Sequence, residues 1–165
     1  AYARDMFMFS FYTRGMSFVD LAFLRKSNLE RGVLSYRRRK TGQLLAIKWE
    51  RHMQEIVDRY SRDSSGYLLP VIDPSRGNER RQYMSALFLV NRKLKELGRE
   101  MSLGVPLTMY VARHSWASVA REQRVPLSVI SEGMGHESET TTRIYLASLD
   151  TSVVDNANAM ILGLL

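Results

Sequence analysis

The chain has 165 residues, 45% of them hydrophobic, and carries 24 Lys+Arg against 17 Asp+Glu, a formal net charge of +7. That length and apolar fraction suit one compact domain with a sizeable core. The cationic excess favours a polyanionic partner, nucleic acid before an anionic membrane surface. The absence of cysteine excludes disulfides, Cys-based zinc sites and cysteine nucleophiles, and fits a reducing cytoplasm. No apolar run approaches the ~20 residues needed to span a bilayer, and nothing resembles a cleavable signal.

The chain opens inside an apolar, helix-like stretch that does not begin with Met, as expected of a piece of a longer protein. Residues 2–12 and 17–25 read as two helices separated by "TRG", the second with Phe18, Leu21, Ala22 and Leu24 at roughly helical spacing. "GVLSYRRRKTGQLLAIKWE" reads as a hairpin, two β-prone runs flanking Thr41-Gly42, with glycine supplying the turn geometry. A helix is expected near 49–62, then a short extended piece, "GYLLPVI", closed by Pro74. Over 78–101, Met84, Leu87, Phe88, Asn91, Leu94 and Leu97 predict a long amphipathic helix that serves packing only. Another helix is entered at Thr108, a good N-cap residue. Pro126 opens a short one stopping at Gly133, the threonine run begins the helix carrying Tyr145, and 151–162 makes a last one. The expected fold is mainly α with a small antiparallel β-sheet (α+β), without repeats or a dividing linker.

The sequence offers little for metal or phosphate-loop chemistry. His52, His114 and His136 lie far apart with no HExxH, there is no Gly-rich phosphate loop, and no GxSxG elbow supports a serine triad. A metal-free attack on a phosphodiester needs a nucleophile, cationic donors for the non-bridging oxygens and an acid for the leaving oxygen. Arginine suits the second role because its planar fork binds phosphate through two parallel bonds and stays charged. Lysine suits the third. A tyrosine becomes a nucleophile only where a cationic site draws off a proton ordinarily held to a pKa of ~10. The chain supplies Arg113 in "YVARHSWAS", His136 in "GMGH", Tyr145 in "RIYL" and Lys40 in "YRRRKTGQ".

"ARHSWASVAREQRVPLSVISEGMGHESETTTRIYLASLD" strongly resembles the tyrosine recombinases, or phage-integrase family, of bacterial viruses and mobile elements. Their signature is H-x-x-R-H, a G-H pair about twenty residues on, and a tyrosine nine residues after that histidine. Arg113-His114, Gly135-His136 and Tyr145 fall on those positions. "YTRGMSFVDLAFL" resembles the family's first box, and Lys40 occupies the hairpin position of its general-acid lysine. The resemblance runs from about residue 2 to the end. It implies a catalytic domain that cleaves double-stranded DNA at a specific recombination site through a 3′-phosphotyrosine, without metal or other cofactor, in a homotetramer that passes through a four-way junction. It further implies docking of the C-terminal helix on a neighbouring protomer, action at the bacterial nucleoid, and a separate N-terminal core-binding domain that these residues do not include.

Two departures stand out. The family's first-box arginine precedes the acidic residue of its helix by three positions; with Asp20 as the acid, that position is Ser17. Arg14, one turn upstream, is one replacement. Arg38, expected to share a strand face with Lys40, is the preferred one. Second, Tyr110 stands in H-x-x-R where the family has histidine; a neutral phenol still hydrogen-bonds phosphate but carries no charge. Arg37 and Arg39 are expected to contact phosphates, against a plainer reading as a solvated hairpin edge. His114, Trp49 and Trp116 read as structural. The alternatives within reach of these residues are a type IB topoisomerase, a non-catalytic DNA-binding descendant of the fold and, least supported, a basic membrane-surface protein. For the apolar ending "NAMILGLL" the residues alone leave folding back and docking elsewhere both open.

Overall fold

The computed structural model describes residues 1–60 and 66–148. Its helices are α1 (Tyr2–Tyr12), α2 (Phe18–Ala22), α3 (Arg51–Tyr60), α4 (Glu79–Glu100), α5 (Met109–Glu122), α6 (Leu127–Met134) and α7 (Glu139–Ser148). Its strands are β1 (Leu29–Glu30), β2 (Val33–Arg37) and β3 (Leu44–Lys48), in one antiparallel sheet ordered β1-β2-β3. Mostly helical with one small sheet is thus the architecture expected from sequence; the two-residue β1 was not foreseen. The last expected helix, residues 61–62 of the third, and the apolar ending all lie outside the described residues.

The chain divides into two compact units, residues 1–116 and residues from 117 onward. The first holds an apolar core in which Met6, Phe9, Leu21, Leu34 and Leu94 are fully buried. Each such side chain contributes about 1.5–3 kcal/mol of transfer free energy. In the second, Ile130 and Met134 of α6 and Leu146 of α7 are buried.

The hairpin shows why local pattern sufficed. Leu34, Tyr36 and Arg38 alternate inward along β2 and its exit, as Leu45 and Ile47 do along β3. Gly42, at φ 72°, allows the return, with the Gly42 N–H donating to Arg38 O at 2.7 Å.

Three expectations change. The inward face of α4 holds Val90, Leu94 and Gly98, with Tyr83, Ala86 and Leu87 packed on the core, whereas Met84 and Phe88 of the expected stripe are 54% and 71% exposed. The ring of Tyr83, stacked on Phe18 at 6.0 Å, takes the place assigned to Met84. "GYLLPVI" forms no strand beyond a single bridge between Tyr67 and Arg25, yet Tyr67, Leu68, Leu69, Val71 and Ile72 are buried as irregular chain. Finally, α6 runs through Gly133 and ends at Gly135, which takes the left-handed cap conformation.

Asp5 ties α1 to α3. Its carboxylate is nearly inaccessible and accepts hydrogen bonds from Tyr60 Oη (2.9 Å), Arg59 Nη1 (3.1 Å) and Arg4 (3.1 Å). Burial would raise its pKa, but the hydrogen bonds from Tyr60, Arg59 and Arg4 outweigh it and the net shift is downward. A carboxylate with a lowered folded-state pKa stabilises above its unfolded value and loses that contribution as pH falls through the folded one. We expect Asp5→Asn to cost about 2 kcal/mol near neutrality. Denaturation midpoints of the two proteins should draw together only as the pH falls from the ordinary carboxylate value through the lowered folded-state one.

Candidate active site

The site begins with a chain reversal. Thr13 closes α1, its hydroxyl donating to Phe9 O at 2.7 Å. Arg14 (φ 62°) and Gly15 (φ 73°) are then both left-handed, and Ser10 clasps the turn, its carbonyl accepting from the Gly15 and Met16 amides and its hydroxyl donating to Met16 O. The buried Gly15 carbonyl accepts from Arg113 Nη1 at 2.9 Å. The contact is tight: a Cβ on Gly15 would lie 2.8 Å from Arg113 Cα and 2.9 Å from its Cγ. Arg113 is thereby held 91% buried on α5, its donor array pre-oriented.

Arg113 has cationic company. Arg38 is equally buried, and the guanidinium groups of Arg38, Arg113 and Arg14 all act electrostatically on the Tyr36 phenol. Burial drives the Tyr36 pKa far above its ordinary value, Asp20 adds to the rise, and the three arginines oppose it. The two replacements considered for the missing first-box arginine thus both stand with Arg113. The alternation behind the choice of Arg38 holds as far as Arg38; Arg39 to Thr41 form a turn and Lys40 lies exposed at its tip.

Ser17 has a different task in this chain. It caps α2, accepting from the Asp20 amide at 3.4 Å and donating to Asp20 Oδ2 at 2.7 Å. Asp20 Oδ1 in turn accepts from the Arg39 amide at 2.8 Å, fixing the root of the hairpin loop. The Arg39 guanidinium lies 3.7 Å over the Phe23 ring, and Arg37 Nη1 donates to Gly42 O.

Tyr110, on the first turn of α5, is 60% exposed and meets the His114 ring edge-on, centroids 4.2 Å apart. Burial, and secondarily the charge of Arg113, lowers the His114 pKa from 6.5, so that imidazole is neutral at pH 7. In the second unit, His136 follows the Gly135 cap, its amide donating to Ser131 O. Its Nδ1 shares a 2.7 Å hydrogen bond with Thr142 Oγ1, which fixes the ring plane. Tyr145, half-buried one helical turn later, meets the His136 ring edge-on at 5.6 Å. It is not a core aromatic, and its neighbour Ile144 is 66% exposed.

The structure therefore brings the charges of Arg14, Arg38 and Arg113 to bear on the Tyr36 phenol, and sets the Tyr145 ring edge-on to His136. Sequence reasoning missed Gly15, Tyr36 and Thr142, and used Asp20 only to place the first box. "TRG" was legible as a break; that its glycine carbonyl is a ligand for Arg113, 98 residues on, was not. Among the described residues, no cluster of three or more His, Asp or Glu is arranged to hold a metal, and no helix is long and apolar enough to cross a membrane.

Residues 2–152 match the model of the phage integrase family. Tyrosine recombinase XerA of Pyrococcus furiosus is 30% identical over 81% of this chain and 46% of its own length. XerA of Thermococcus kodakarensis is also 30% identical, over 81% and 47%. The chain spans about half the length of these curated relatives. Among solved structures, XerA recombinase superposes with a TM-score of 0.59 at 16% identity, covering 96% of this chain and 62% of that one. The post-cleavage complex of XerH site-specific recombinase with a palindromic difH substrate superposes with a TM-score of 0.63 at 18% identity, over 94% and 45%. At such identities these structural matches establish the fold.

Because Gly15 combines positive φ with contact on Arg113, Gly15→Ala should cost at least about 2 kcal/mol in backbone strain and displacement. Urea denaturation measures this directly. Ser10→Ala, which loosens the same turn without a clash, should cost about 1 kcal/mol.

Proposed function

The chain belongs to the phage integrase family, and from that premise we propose that residues 1–165 form the catalytic domain of a tyrosine-type site-specific recombinase acting on double-stranded DNA. Tyr145 Oη attacks the scissile phosphorus, releasing its proton. The bond to the 5′-oxygen breaks, and Lys40 protonates that oxygen as it leaves. Arg113 and His136 carry the charge of the pentacoordinate phosphate, with Tyr110 donating through its phenol and Arg38 standing for the absent first-box arginine, flanked by Arg14. Arg37 and Arg39 hold neighbouring phosphates. A 5′-hydroxyl from a partner duplex then displaces the tyrosine, so the bond energy kept in the 3′-phosphotyrosine makes an external energy source unnecessary.

One observation carries this reading: a buried Arg113 anchored by the Gly15 carbonyl, with an equally buried Arg38 on the hairpin. Desolvated guanidinium groups cost several kcal/mol each to assemble, and a pre-oriented anion site repays that cost when the ligand is a phosphoryl transition state. Arg38 is preferred over Arg14 because it sits on the inward side of β2, as buried as Arg113 itself.

The full protein is proposed to act as a tetramer on paired sites in the cell's DNA, within a mobile element. The tetramer would form by docking of the segment 149–165 on a neighbouring copy. A cleft of about 490 Å³ in the second unit, lined by Val125, Leu127, Ile130 and Leu146 and edged by Arg121 and Arg143, supports this. It is apolar like the "AMILGLL" ending, and the charged side chains of 149–165 are Asp150 and Asp155, opposite in sign to the two arginines.

Covalent capture tests the reading. With nicked duplexes of randomised sequence, the chain should form an SDS-stable adduct at a 3′-phosphate. Tyr145→Phe should form none, and Arg113→Ala should slow adduct formation about 10²–10³-fold. An adduct that survives Tyr145→Phe, or one at a 5′-phosphate, overturns the assignment. Lys40→Ala should be slow on ordinary DNA. A bridging 5′-thiolate, which departs without a proton, should restore its rate; failure of that rescue removes Lys40 as the acid.

A further inference from the structure

The first unit contains a cavity of about 280 Å³ whose walls include Asp20, Phe23, Arg25, Tyr36, Arg37 and Arg39. Three guanidinium groups face one carboxylate, and that carboxylate is already committed: Oδ1 accepts from the Arg39 amide and Oδ2 from the Ser17 hydroxyl. The arginines are held by contacts that leave the fork in use for a ligand. Arg39 is stacked on Phe23 at 3.7 Å, and stacking on a ring face consumes none of the five N–H donors of a guanidinium; Arg25 lies over Tyr67 at 4.8 Å and spends one donor on the Tyr67 hydroxyl at 3.4 Å. Arg37 spends one donor on Gly42 O.

The chemistry is that of an anion with several acceptor oxygens, the ligand that planar donor forks fit best. The volume falls below the ~300–1,000 Å³ typical of pockets that enclose a whole small molecule, and suits a charged group borne on a chain. Tyr36 relates the cavity to the cluster described above, since the phenol that lines this wall is also the one on which Arg38, Arg113 and Arg14 act.

We propose that this cavity is a second phosphate site, in which Arg25, Arg37 and Arg39 seat a DNA backbone phosphate neighbouring the one handled by Arg113. It rests on the recombinase reading and adds Arg25, on the 3₁₀ segment leading to β1, to the DNA-contacting residues. The site positions the strand and carries no base information.

Each phosphate neutralised contributes about 0.9 to the slope of log K against log salt concentration. Binding of a random 30-bp duplex, followed by fluorescence anisotropy across a salt series, should therefore show a slope lower by about 0.9 for Arg25→Gln and unchanged for Arg25→Lys. Arg31→Gln, an exposed residue at the opposite end of β2 paired with Glu30, should leave the slope unchanged. An unaltered slope in Arg25→Gln, or an equal drop in Arg31→Gln, overturns the proposal. Should Arg25→Gln fail to fold, Arg37→Gln and Arg39→Gln give the same reading, and an unaltered slope in both overturns it. Loss of the slope effect with an intact Tyr145 adduct defeats the second site alone, whereas an adduct that survives Tyr145→Phe defeats the recombinase reading.

Discussion

The close packing of Arg113 on Gly15 sets the terms for the first unit. Backbone and side chain meet at a distance that admits no Cβ, so position 15 in the turn between α1 and α2 must be glycine, and the turn must aim its carbonyl at the arginine. Everything upstream serves that: Thr13 stops α1, Arg14 accepts a left-handed conformation uncommon for a branched-chain or long side chain, and Ser10 closes the loop from below. In return the carbonyl fixes a guanidinium that burial alone would leave without orientation.

The cations of the hairpin divide by depth, and depth matches the task proposed for each. Arg38 follows Leu34 and Tyr36 on the inner side and is desolvated; Arg37, Arg39 and Lys40 stay in water. A phosphate-stabilising charge gains strength from low dielectric, since Coulomb energies rise as solvent is excluded. A general acid has the opposite need. The lysine proposed for that task stands at the exposed tip of the hairpin turn.

Much of this was legible in the sequence where the signal was local. α1, the hairpin and α7 follow from apolar period and turn chemistry, and the spacing of Arg113, His136 and Tyr145 carried the resemblance to the phage integrase family, whose model the chain matches. Failures came where the deciding partner is distant. The period of α4 was right, but apolar residues lie on more than one of its sides, and it was Phe18, through Tyr83, that chose among them. "GYLLPVI" looked like a strand because it is apolar; it is buried without a ladder, anchored by Tyr67 donating to Glu79 at 2.6 Å. Thr142 sat inside a threonine run in which nothing marks one hydroxyl as the partner of His136. Tyr36 looked like an ordinary inward strand residue, and its arginine neighbours come from three separate stretches of chain.

The serine at position 17 serves two elements at once. It is the cap of α2 and the donor to Asp20, and Asp20 also grips the hairpin through the Arg39 amide. Placing an arginine there would remove a cap worth about 1 kcal/mol and strip one oxygen of a buried carboxylate of its donor. It would also introduce a fourth guanidinium into a cluster that already balances three. An arginine at position 17 would thus be a damaging substitution in this chain, because the cap of α2 and the root of the hairpin both hang on one hydroxyl and one carboxylate.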